Sequence, residues 1–305
     1  MSEQTIAAVW RRRLGWSIAA DRLKATIGRA RLSALAMSAA GAVLATAAAT
    51  VLTEVPQWRT ASAMAGAMLV AAATFVATRF VTTSALRAWT RARSVSEAIK
   101  GEIFMFRAGA EPYSGPGAVG VLQQQVRVIE EAALDLERYV AGVDVNREDR
   151  PVPPSLSPKA YIEKRVMQQI EGYYRPNARL YARWLSIFRF AELVFGLVAT
   201  LLGAVAAYIS GTTPAGDTAV AAWVAVFTTL GAAMAAHVAA TRYDFLVVSY
   251  YATARHLEDL VGRWRADGEP TASSQWTAFV KACEDAISIE NESWLAKWAE
   301  KDPGQ

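Results

Sequence analysis

The sequence has very few of the residues on which most catalytic and metal sites depend. Its single cysteine, Cys283, excludes an intramolecular disulfide and a cysteine-rich zinc site. Its two histidines, His237 and His256, leave little for a histidine-based metal site or a catalytic triad. It also has no Walker loop, no HExxH motif and no CxxC motif. We therefore expect no catalytic residue, no metal site and no cofactor, and we expect that the protein is not an enzyme.

A glycine-rich stretch at residues 109–117 is the nearest thing to a phosphate-binding loop. It reads Gly-Ala-Glu-Pro-Tyr-Ser-Gly-Pro-Gly, but no predicted strand leads into it and no lysine-bearing helix start follows it. This pattern is typical of a turn. The neighbourhood of His256, with Glu258 and Asp259, is most simply a solvated helix face.

Hydrophobic residues make up 53% of the 305 residues and charged residues 20%, with a mean hydropathy of +0.16 and a net charge of +4. Four apolar runs hold most of the hydrophobic residues: 32–53, 61–78, 190–209 and 219–240. Each has about 18–22 residues, which at about 1.5 Å per residue crosses a hydrocarbon core of roughly 30 Å. The first two runs are rich in alanine, so either one alone also fits a buried helix of a soluble protein. Together the four predict an all-α membrane protein with two transmembrane hairpins.

The orientation of the hairpins follows from the basic residues. The turns at residues 54–60 and 210–218 are too short for a domain and contain one basic residue, Arg59. The outer ends of the runs are flanked by Arg11, Arg12, Arg13, Arg22, Lys24, Arg29, Arg31, Arg79, Arg87, Arg91, Arg93, Arg175, Arg179, Arg183, Arg189 and Arg242. Because short loops rich in Lys and Arg stay in the cytoplasm, the turns are expected to face outward. We therefore predict a multi-pass protein of the bacterial inner membrane with both termini cytoplasmic.

An export signal is an alternative reading of the N-terminus. A basic start precedes an alanine-rich run, and Arg11, Arg12 and Arg13 loosely resemble a twin-arginine motif. The run begins late, is long for a signal peptide, and is followed at once by a second span. These features favour a retained transmembrane helix.

The two halves of the chain share an order of features. Ala-Thr-Arg-Phe at 77–80 ends the first hairpin, and Ala-Thr-Arg-Tyr at 240–243 ends the second. A basic helical stretch follows each, stops at Gly109 or Gly268, and leads to a further helix. Coincidence between alanine-rich sequences is the alternative to duplication. We predict domains at residues 1–146 and 159–305, joined by a proline-rich linker at 147–158.

Periodic apolar positions predict a helical bundle in the cytoplasm. One stripe follows steps of three and four through Val119, Leu122, Val126, Ile129, Ala133, Leu136 and Val140. A second stripe contains Trp276, Val280, Cys283, Ile287, Trp294 and Trp298, with Glu290 on the same face. Such stripes are buried against other helices, so an antiparallel bundle is expected. Cys283 is accordingly interpreted as a core residue and not as a nucleophile.

Polar residues within the spans are costly in lipid and are therefore candidate functional residues. Hydroxyl groups on one side of the first two spans, and two ionisable residues near cytoplasmic ends, are candidates to line or gate a pore in an oligomer: Ser38, Thr46, Thr50, Thr53, Thr74, Thr78, Glu192 and His237. The alternative is that small residues only allow close helix packing, as in Gly41/Ala45/Ala49 and Gly231/Ala235/Ala239. Glu192 and His237 either face each other or reach the headgroups.

Tryptophans and arginines together also raise the possibility of nucleic-acid binding. The arginines, however, lie beside the spans, and Trp10, Trp16, Trp58 and Trp184 stand where interfacial anchors are expected. The lipid bilayer is thus the expected partner, and nucleic acid is not.

Several of these segments resemble the SLATT family, two-transmembrane domains associated with nucleotide-synthesising and SLOG sensor genes in bacteria. The C-terminal half carries the closer likeness, in Tyr-Ile-Glu-Lys-Arg-Val at 161–166, Tyr-Tyr-Arg-Pro-Asn-Ala at 173–178, Ser-Tyr-Tyr-Ala-Thr-Ala at 249–254 and Glu-Asn-Glu-Ser-Trp at 290–294. The N-terminal half is similar through residues 89–102 and 111–113. The chain thus resembles a tandem of two SLATT domains, with a first span richer in alanine than is typical.

The resemblance implies a membrane effector of bacterial conflict or antiphage systems, which forms pores or perturbs the membrane. It implies activation by a nucleotide second messenger or a sensor protein, and action as a homo-oligomer, because four spans cannot enclose a wide pore. A non-conducting scaffold that recruits a cytoplasmic partner or lipid is the alternative. A small transporter is less favoured, since the spans lack helix-breaking prolines and midplane charges.

Overall fold

The computed structural model describes residues 2–145, 151–212 and 218–299, and all regular structure in these residues is helical. The helices are α1 (Ser2–Thr50), α2 (Pro56–Phe80), α3 (Thr83–Arg107), α4 (Ala118–Glu131), α5 (Glu137–Val140), α6 (Pro158–Tyr161), α7 (Arg175–Thr212), α8 (Thr218–Thr241), α9 (Tyr243–Ala266) and α10 (Ser273–Ala299). Within these residues, four helical stretches are long and apolar enough to cross a membrane. The all-α membrane fold is therefore confirmed.

The helix ends follow local chemistry. Pro56 begins α2, where its fixed φ and missing N–H are tolerated. Just after α3 and α9 end, Gly109 and Gly268 have φ values of +64° and +83°, which favour glycine. Arg242, with φ of +52°, separates α8 from α9 within the repeated Ala-Thr-Arg-Tyr motif. The predicted glycine stops are confirmed.

One compact unit, called the span unit here, consists of Thr26–Thr82 and Leu180–Leu246. In each membrane-length stretch, only 6% to 17% of the most apolar window is buried within the protein. Large apolar side chains such as Phe190, Leu193 and Met68 are 64% to 69% exposed. Exposure of this extent over four helices is expected of surfaces that lipid covers.

The second compact unit, called the bundle unit here, consists of Met1–Ala25, Thr83–Arg179 and Val247–Gln305. Its central helix α3 packs against both α4 and α10. The fully buried core includes Ile6, Ile99, Ile103, Leu122, Val126, Val166, Leu257 and Val280. In the first predicted stripe Leu122, Val126, Ala133 and Leu136 are buried, whereas Val119, Ile129 and Val140 are partly buried. The second stripe is confirmed as buried where the structure describes its side chains, and Cys283 is fully buried in it. The side chains of Glu290, Trp294 and Trp298 lie outside the described residues.

Two π-helical segments, Ile162–Met167 and Ile170–Tyr174, connect α6 to α7. Buried residues recur here at every fourth position: Ile162, Val166, Ile170, Tyr174 and Ala178. In an α-helix of 3.6 residues per turn, a four-residue repeat drifts by about 40° at each step. The wider π turns reduce that drift and keep these residues on one buried face.

Two details differ from the sequence expectation. The stripe at 119–140 is not one helix, because α4 ends at Glu131 and a 3₁₀ turn at Leu134–Leu136 precedes α5. Thr53 is not on a span, since α1 ends at Thr50.

Each compact unit takes residues from both halves of the chain, and the predicted domain boundaries remain a prediction. Residues 147–150 of the predicted linker at 147–158 and residues 213–217 of the second turn lie outside the described residues.

Candidate functional site

Three hydroxyl groups of the predicted stripe in the first hairpin, those of Thr50, Thr74 and Thr78, are bonded to their own helices. Thr50 Oγ1 donates to the Thr46 carbonyl oxygen at 2.8 Å, and Thr74 Oγ1 donates to that of Val70 at 3.0 Å. Thr78 Oγ1 donates to the Thr74 carbonyl oxygen at 2.9 Å. Hydroxyl groups bonded in this way are compatible with lipid or a neighbouring helix as surroundings. Ser38 is exposed on α1, and Thr50 lines a cavity of about 310 Å³ together with residues of α7 and α8.

The first hairpin crosses tightly at two glycines. A Cβ added at Gly41 would lie 2.8 Å from the Gly66 carbonyl oxygen. A Cβ added at Gly66 would lie 2.9 Å from the Gly41 carbonyl oxygen and 3.0 Å from the Ala45 nitrogen. The backbones of α1 and α2 are therefore in contact, which fits the packing role that small residues play in spans.

A cavity of about 630 Å³ lies between α7 and α8 in the second hairpin. Glu192, Gly196 and Thr200, four residues apart, form one wall, and Phe227, Thr228 and Gly231 contribute to the other. Arg189 at its edge donates to Asp244 Oδ1 at 2.8 Å. The cavity thus holds one carboxylate, two hydroxyl groups and the Arg189 side chain among small and apolar residues.

Thr200 and Thr228 were not identified from the sequence. Both lie near the middle of the predicted spans, and each hydroxyl donates to a carbonyl oxygen of its own helix at 2.9 Å. In the sequence neither hydroxyl belongs to a repeating pattern of polar residues along one face of its own helix. Only the pairing of α7 with α8 brings them to one cavity.

His237 and Glu192 lie in different surroundings. Glu192 is exposed at the cavity, whereas the His237 ring packs against Phe188 with ring centroids 4.7 Å apart and near Tyr243 at 6.2 Å. The structure thus places the histidine in an aromatic cluster at the end of α8. A gating role for the pair remains a prediction.

Two of the four predicted interfacial tryptophans are core residues of the bundle unit. Trp10 is 7% exposed and Trp16 is 3% exposed, and both belong to the core formed with α3 and α4. Trp16 Nε1 donates to Glu130 Oε1 at 3.2 Å, so its polar atom is satisfied by protein. The anchor interpretation of these two is wrong, because an amphipathic tryptophan suits a helix core as well as a membrane surface. Trp58 and Trp184 are exposed, and their anchor role remains a prediction.

A buried ion pair lies at the centre of the bundle unit. Arg165 Nη2 donates to Glu284 Oε2 at 2.6 Å and Arg165 Nε donates to Glu284 Oε1 at 3.0 Å. The Tyr161 hydroxyl donates to Glu284 Oε1 at 2.8 Å, and the Arg165 guanidinium lies 4.3 Å from the Phe104 ring centroid. The side chains of Arg165 and Glu284 are 2% and 6% exposed. Removing either charge would leave the other buried and uncompensated.

Next to this pair, three basic side chains converge on one carboxylate. Glu97 Oε1 lies 3.8 Å from Arg13 Nη2 and 3.7 Å from Arg93 Nη2, and Glu97 Oε2 lies 3.5 Å from Lys100 Nζ. Burial alone would raise the pKa of Glu97, but Lys100, Arg93 and Arg13 outweigh it and lower the pKa to about 2. Burial, opposed by Glu97 and reinforced by Arg165, Arg13 and Arg93, lowers the pKa of Lys100 to about 8.

A surface cleft of about 270 Å³ opens beside these groups. Lys100 and Phe104 of α3 form one wall of this basic cleft. The π-helical segments contribute the rest: Lys164, Arg165, Gln168, Gln169, Gly172 and Tyr173. Arg93 Nη2 donates to the Tyr173 hydroxyl at 3.0 Å and connects the cleft to the Glu97 cluster. The cleft therefore combines cations, amides and aromatic rings.

Other candidate chemistry is limited in the part of the chain that the structure describes. Within those residues, no group of three or more His, Cys, Asp or Glu side chains is placed to hold a metal ion. Burial raises the pKa of the Cys283 thiol, and Glu284 raises it further. A thiol in such surroundings is a poor nucleophile.

Residues 161–294 match the family model described as SMODS and SLOG-associating 2TM effector domain 1. The C-terminal half of the chain is therefore similar to the SLATT family of two-transmembrane effector domains. The SLATT match includes α7 and α8, the cavity between them, and the Arg165–Glu284 pair. The resemblance noted from the sequence is confirmed for this half.

The N-terminal half matches a different model. Residues 15–118 match a family described as a protein of unknown function, DUF4231. No curated protein and no solved structure matches the chain. The chain is therefore a multi-pass membrane protein whose C-terminal half matches the SLATT model, and a tandem of two SLATT domains remains a prediction.

Proposed function

We propose that this protein is a bacterial membrane effector that assembles through its spans and opens a pore in, or perturbs, the inner membrane. In this proposal the bundle unit is cytoplasmic and receives a signal during bacterial conflict or phage infection. The description of the matched family as a two-transmembrane effector domain associated with SMODS and SLOG supports this class of function.

The cavity between α7 and α8 is the observation that carries the proposal. A carboxylate and two hydroxyl groups, those of Glu192, Thr200 and Thr228, line it together with Arg189, between helices whose most apolar windows are largely exposed. Ionisable groups in spans are expensive in hydrocarbon and usually face protein or water. Association with further copies of the chain would cover this face and bring water to it.

Assembly is required by the number of spans. Four helices in one chain cannot enclose a wide aqueous path, so several copies must contribute walls to a pore. Closed rings are the usual outcome of identical subunits. We propose that α7 and α8 contribute the polar wall, while the close contact at Gly41 and Gly66 makes the first hairpin a rigid support.

A non-conducting scaffold is the second candidate. The hydroxyl groups of Thr50, Thr74 and Thr78 in the first hairpin are all bonded to their own helices, which favours a packing role for that hairpin. If the second hairpin also served only for packing, the protein would recruit a partner or lipid without ion flux.

Ion flux tests the proposal. In cells loaded with a voltage-sensitive dye and triggered by phage infection, we expect the wild-type protein to depolarise the membrane. The double variant Glu192→Gln/Thr228→Val should reduce the depolarisation about tenfold or more, because it removes charge and a hydroxyl from the cavity. Thr229→Val is the matched control: Thr229 is bonded in the same way, to the Ala225 carbonyl oxygen, but does not line the cavity.

The outcomes separate the two functions. Equal depolarisation by the wild type and the double variant would move the path away from this cavity. A loss in Thr46→Leu/Thr50→Leu with none in the double variant would assign the path to the first hairpin. No depolarisation under phage infection, with the protein present in the membrane, would favour the scaffold.

A further inference from the structure

The basic cleft of the bundle unit differs from an ordinary charged surface in how its cations are held. Lys100 is 19% exposed and shares Glu97 with two arginines, Arg13 and Arg93. Arg165 at the cleft directs its charge to Glu284 in a two-point pair. Three cations on one carboxylate make the Lys100 corner of the cleft electropositive.

The opposite side of the cleft has groups suited to an organic moiety. The Tyr173 ring lines the cleft and packs against Tyr174 and Tyr250, with ring centroids 5.2 Å and 5.7 Å away. The Arg93 guanidinium lies over the same ring, 5.6 Å from its centroid. Gln168 and Gln169 present amide groups that both donate and accept hydrogen bonds. A volume of about 270 Å³ lies just below the roughly 300–1,000 Å³ that drug-sized ligand sites occupy, which suits a small ligand.

The backbone of this region is itself unusual. Six of the eight lining residues come from the π-helical stretch between Ile162 and Tyr174. Isolated π turns inside helices occur frequently at functional sites, because the widened turn re-aims side chains. Here the widening keeps the buried face in register and presents Lys164, Gln168 and Tyr173 to the cleft.

We propose that this cleft binds a phosphate-bearing small molecule, with its phosphate against Lys100 and Lys164 and its ring against Tyr173. The proposal rests on the proposed function, because it names the chemistry of the signal that the bundle unit receives. Three basic side chains share the Glu97 carboxylate, and phosphate oxygens would replace it as hydrogen-bond partners for some of their N–H groups. The same headgroup chemistry occurs in soluble nucleotides and in anionic lipids, and the test separates these sources.

Binding should depend on pH through Lys100. The groups that face it are Glu97, Arg13, Arg93 and Arg165, with Lys164 and Tyr173 across the cleft and Glu284 behind Arg165. The pKa of Lys100 is about 8 in the folded protein, so it is charged at pH 7 and neutral at pH 9.5. Affinity for a phosphate should therefore fall as the pH rises through 8, and a phosphate already dianionic at pH 7 does not contribute to that fall.

Equilibrium dialysis of the full chain in neutral phosphatidylcholine nanodiscs tests the proposal. The probes are the four common ribonucleoside diphosphates, pyrophosphate and the four nucleosides. We expect at least one diphosphate to bind, pyrophosphate to bind more weakly and nucleosides not to bind. Lys100→Met and Lys164→Met should each weaken binding about tenfold or more, whereas Lys159→Met, an exposed lysine outside the cleft, should not change it.

Anionic lipid forms the second arm. In this arm, the thermal unfolding of the protein is compared in nanodiscs with and without phosphatidylglycerol. Protection by phosphatidylglycerol that is lost in Lys164→Met and unaffected by nucleotides would identify a lipid headgroup as the ligand. Absence of both nucleotide binding and lipid protection, or equal losses in Lys159→Met and Lys164→Met, would overturn the proposal. Lys164 is exposed, so its substitution leaves folding intact.

Because binding is measured without ion flux, the two proposals fail separately. Binding without depolarisation would leave this inference standing and reject the pore. Depolarisation without binding would leave the pore standing and reject this inference.

Discussion

At the scale of single residues, the most consequential contact is the Arg165–Glu284 pair. Its members are 119 positions apart, so it ties the π-helical segment to α10. Arg165 lies in a segment that carries the SLATT resemblance, but nothing in the sequence pairs it with Glu284. Burial of both, with Tyr161 donating to the same carboxylate, makes the network a determinant of the packing of these helices.

Glu284→Gln should therefore destabilise the protein strongly, because it leaves the Arg165 charge buried without a counterion. We expect a loss of about 3 kcal/mol, which corresponds to roughly 6–12 °C in the thermal midpoint. Glu258→Gln is the matched control, since the Arg175–Glu258 pair is 38% and 36% exposed and should contribute at most about 1 kcal/mol. Tryptophan fluorescence during heating in a mild detergent measures both. Similar shifts of the thermal midpoint in the two variants would show that the buried pair contributes no more to stability than the exposed pair.

The surroundings of the tryptophans cannot be predicted from the residue type and its neighbours in the sequence. Trp10, Trp16, Trp58 and Trp184 have the same chemistry and similar basic neighbours, yet two are in a protein core and two are exposed. An amphipathic ring satisfies a bundle core and a lipid interface equally well. The choice depends on whether another helix lies alongside, and that information is not local.

At the scale of elements, the positions of most helices and of their buried faces can be predicted from the sequence. The four apolar runs, the glycine stops and the buried stripes are consequences of local composition and periodicity, and the structure agrees with them. The π-helical segments were not predicted, although the four-residue spacing from Ile162 to Ala178 is visible in the sequence. The spacing alone is ambiguous, because an α-helix with a drifting stripe produces the same pattern.

The crossing of α1 and α2 gives a prediction at this scale. Gly66→Ala should destabilise the first hairpin by about 1–3 kcal/mol, because its Cβ would meet the backbone of Gly41 and Ala45 within about 3.0 Å. Gly203→Ala on α7 is the control, since a Cβ there meets nothing within 4 Å. Its effect should be neutral or slightly stabilising, as alanine favours helix over glycine. Thermal midpoints in detergent compare the two, and equal midpoints would show that the backbones are not in contact.

At the scale of the whole molecule, the governing fact is that lipid is the solvent for much of the surface. The four membrane-length stretches leave most of their apolar windows exposed, and the SLATT match independently describes a two-transmembrane domain. Charge asymmetry predicts that both termini are cytoplasmic, because the basic residues flank the outer ends of the hairpins. The proposed signal and the basic cleft both require this orientation.

Cysteine labelling tests the orientation directly. The sequence has one cysteine, so Cys283→Ala creates a cysteine-free background. In that background Gln57→Cys, in the exposed first turn of α2, should react with an impermeant maleimide on intact spheroplasts. Lys159→Cys should react only after the membrane is opened. The reverse pattern would invert the topology and place the basic cleft outside the cell.

The sequence by itself determined the solvent and the class of this protein. Uninterrupted apolar runs of membrane length and their basic flanks are local properties, so four spans and an all-α fold follow from composition, and the SLATT resemblance follows from short segments. Only the tertiary structure decided which tryptophans are core, that Thr200 and Thr228 meet at one cavity, and that Lys100 and Arg165 lie beside one cleft. Periodicity identifies which face of a helix is buried, whereas what lies against that face depends on residues far away in the chain.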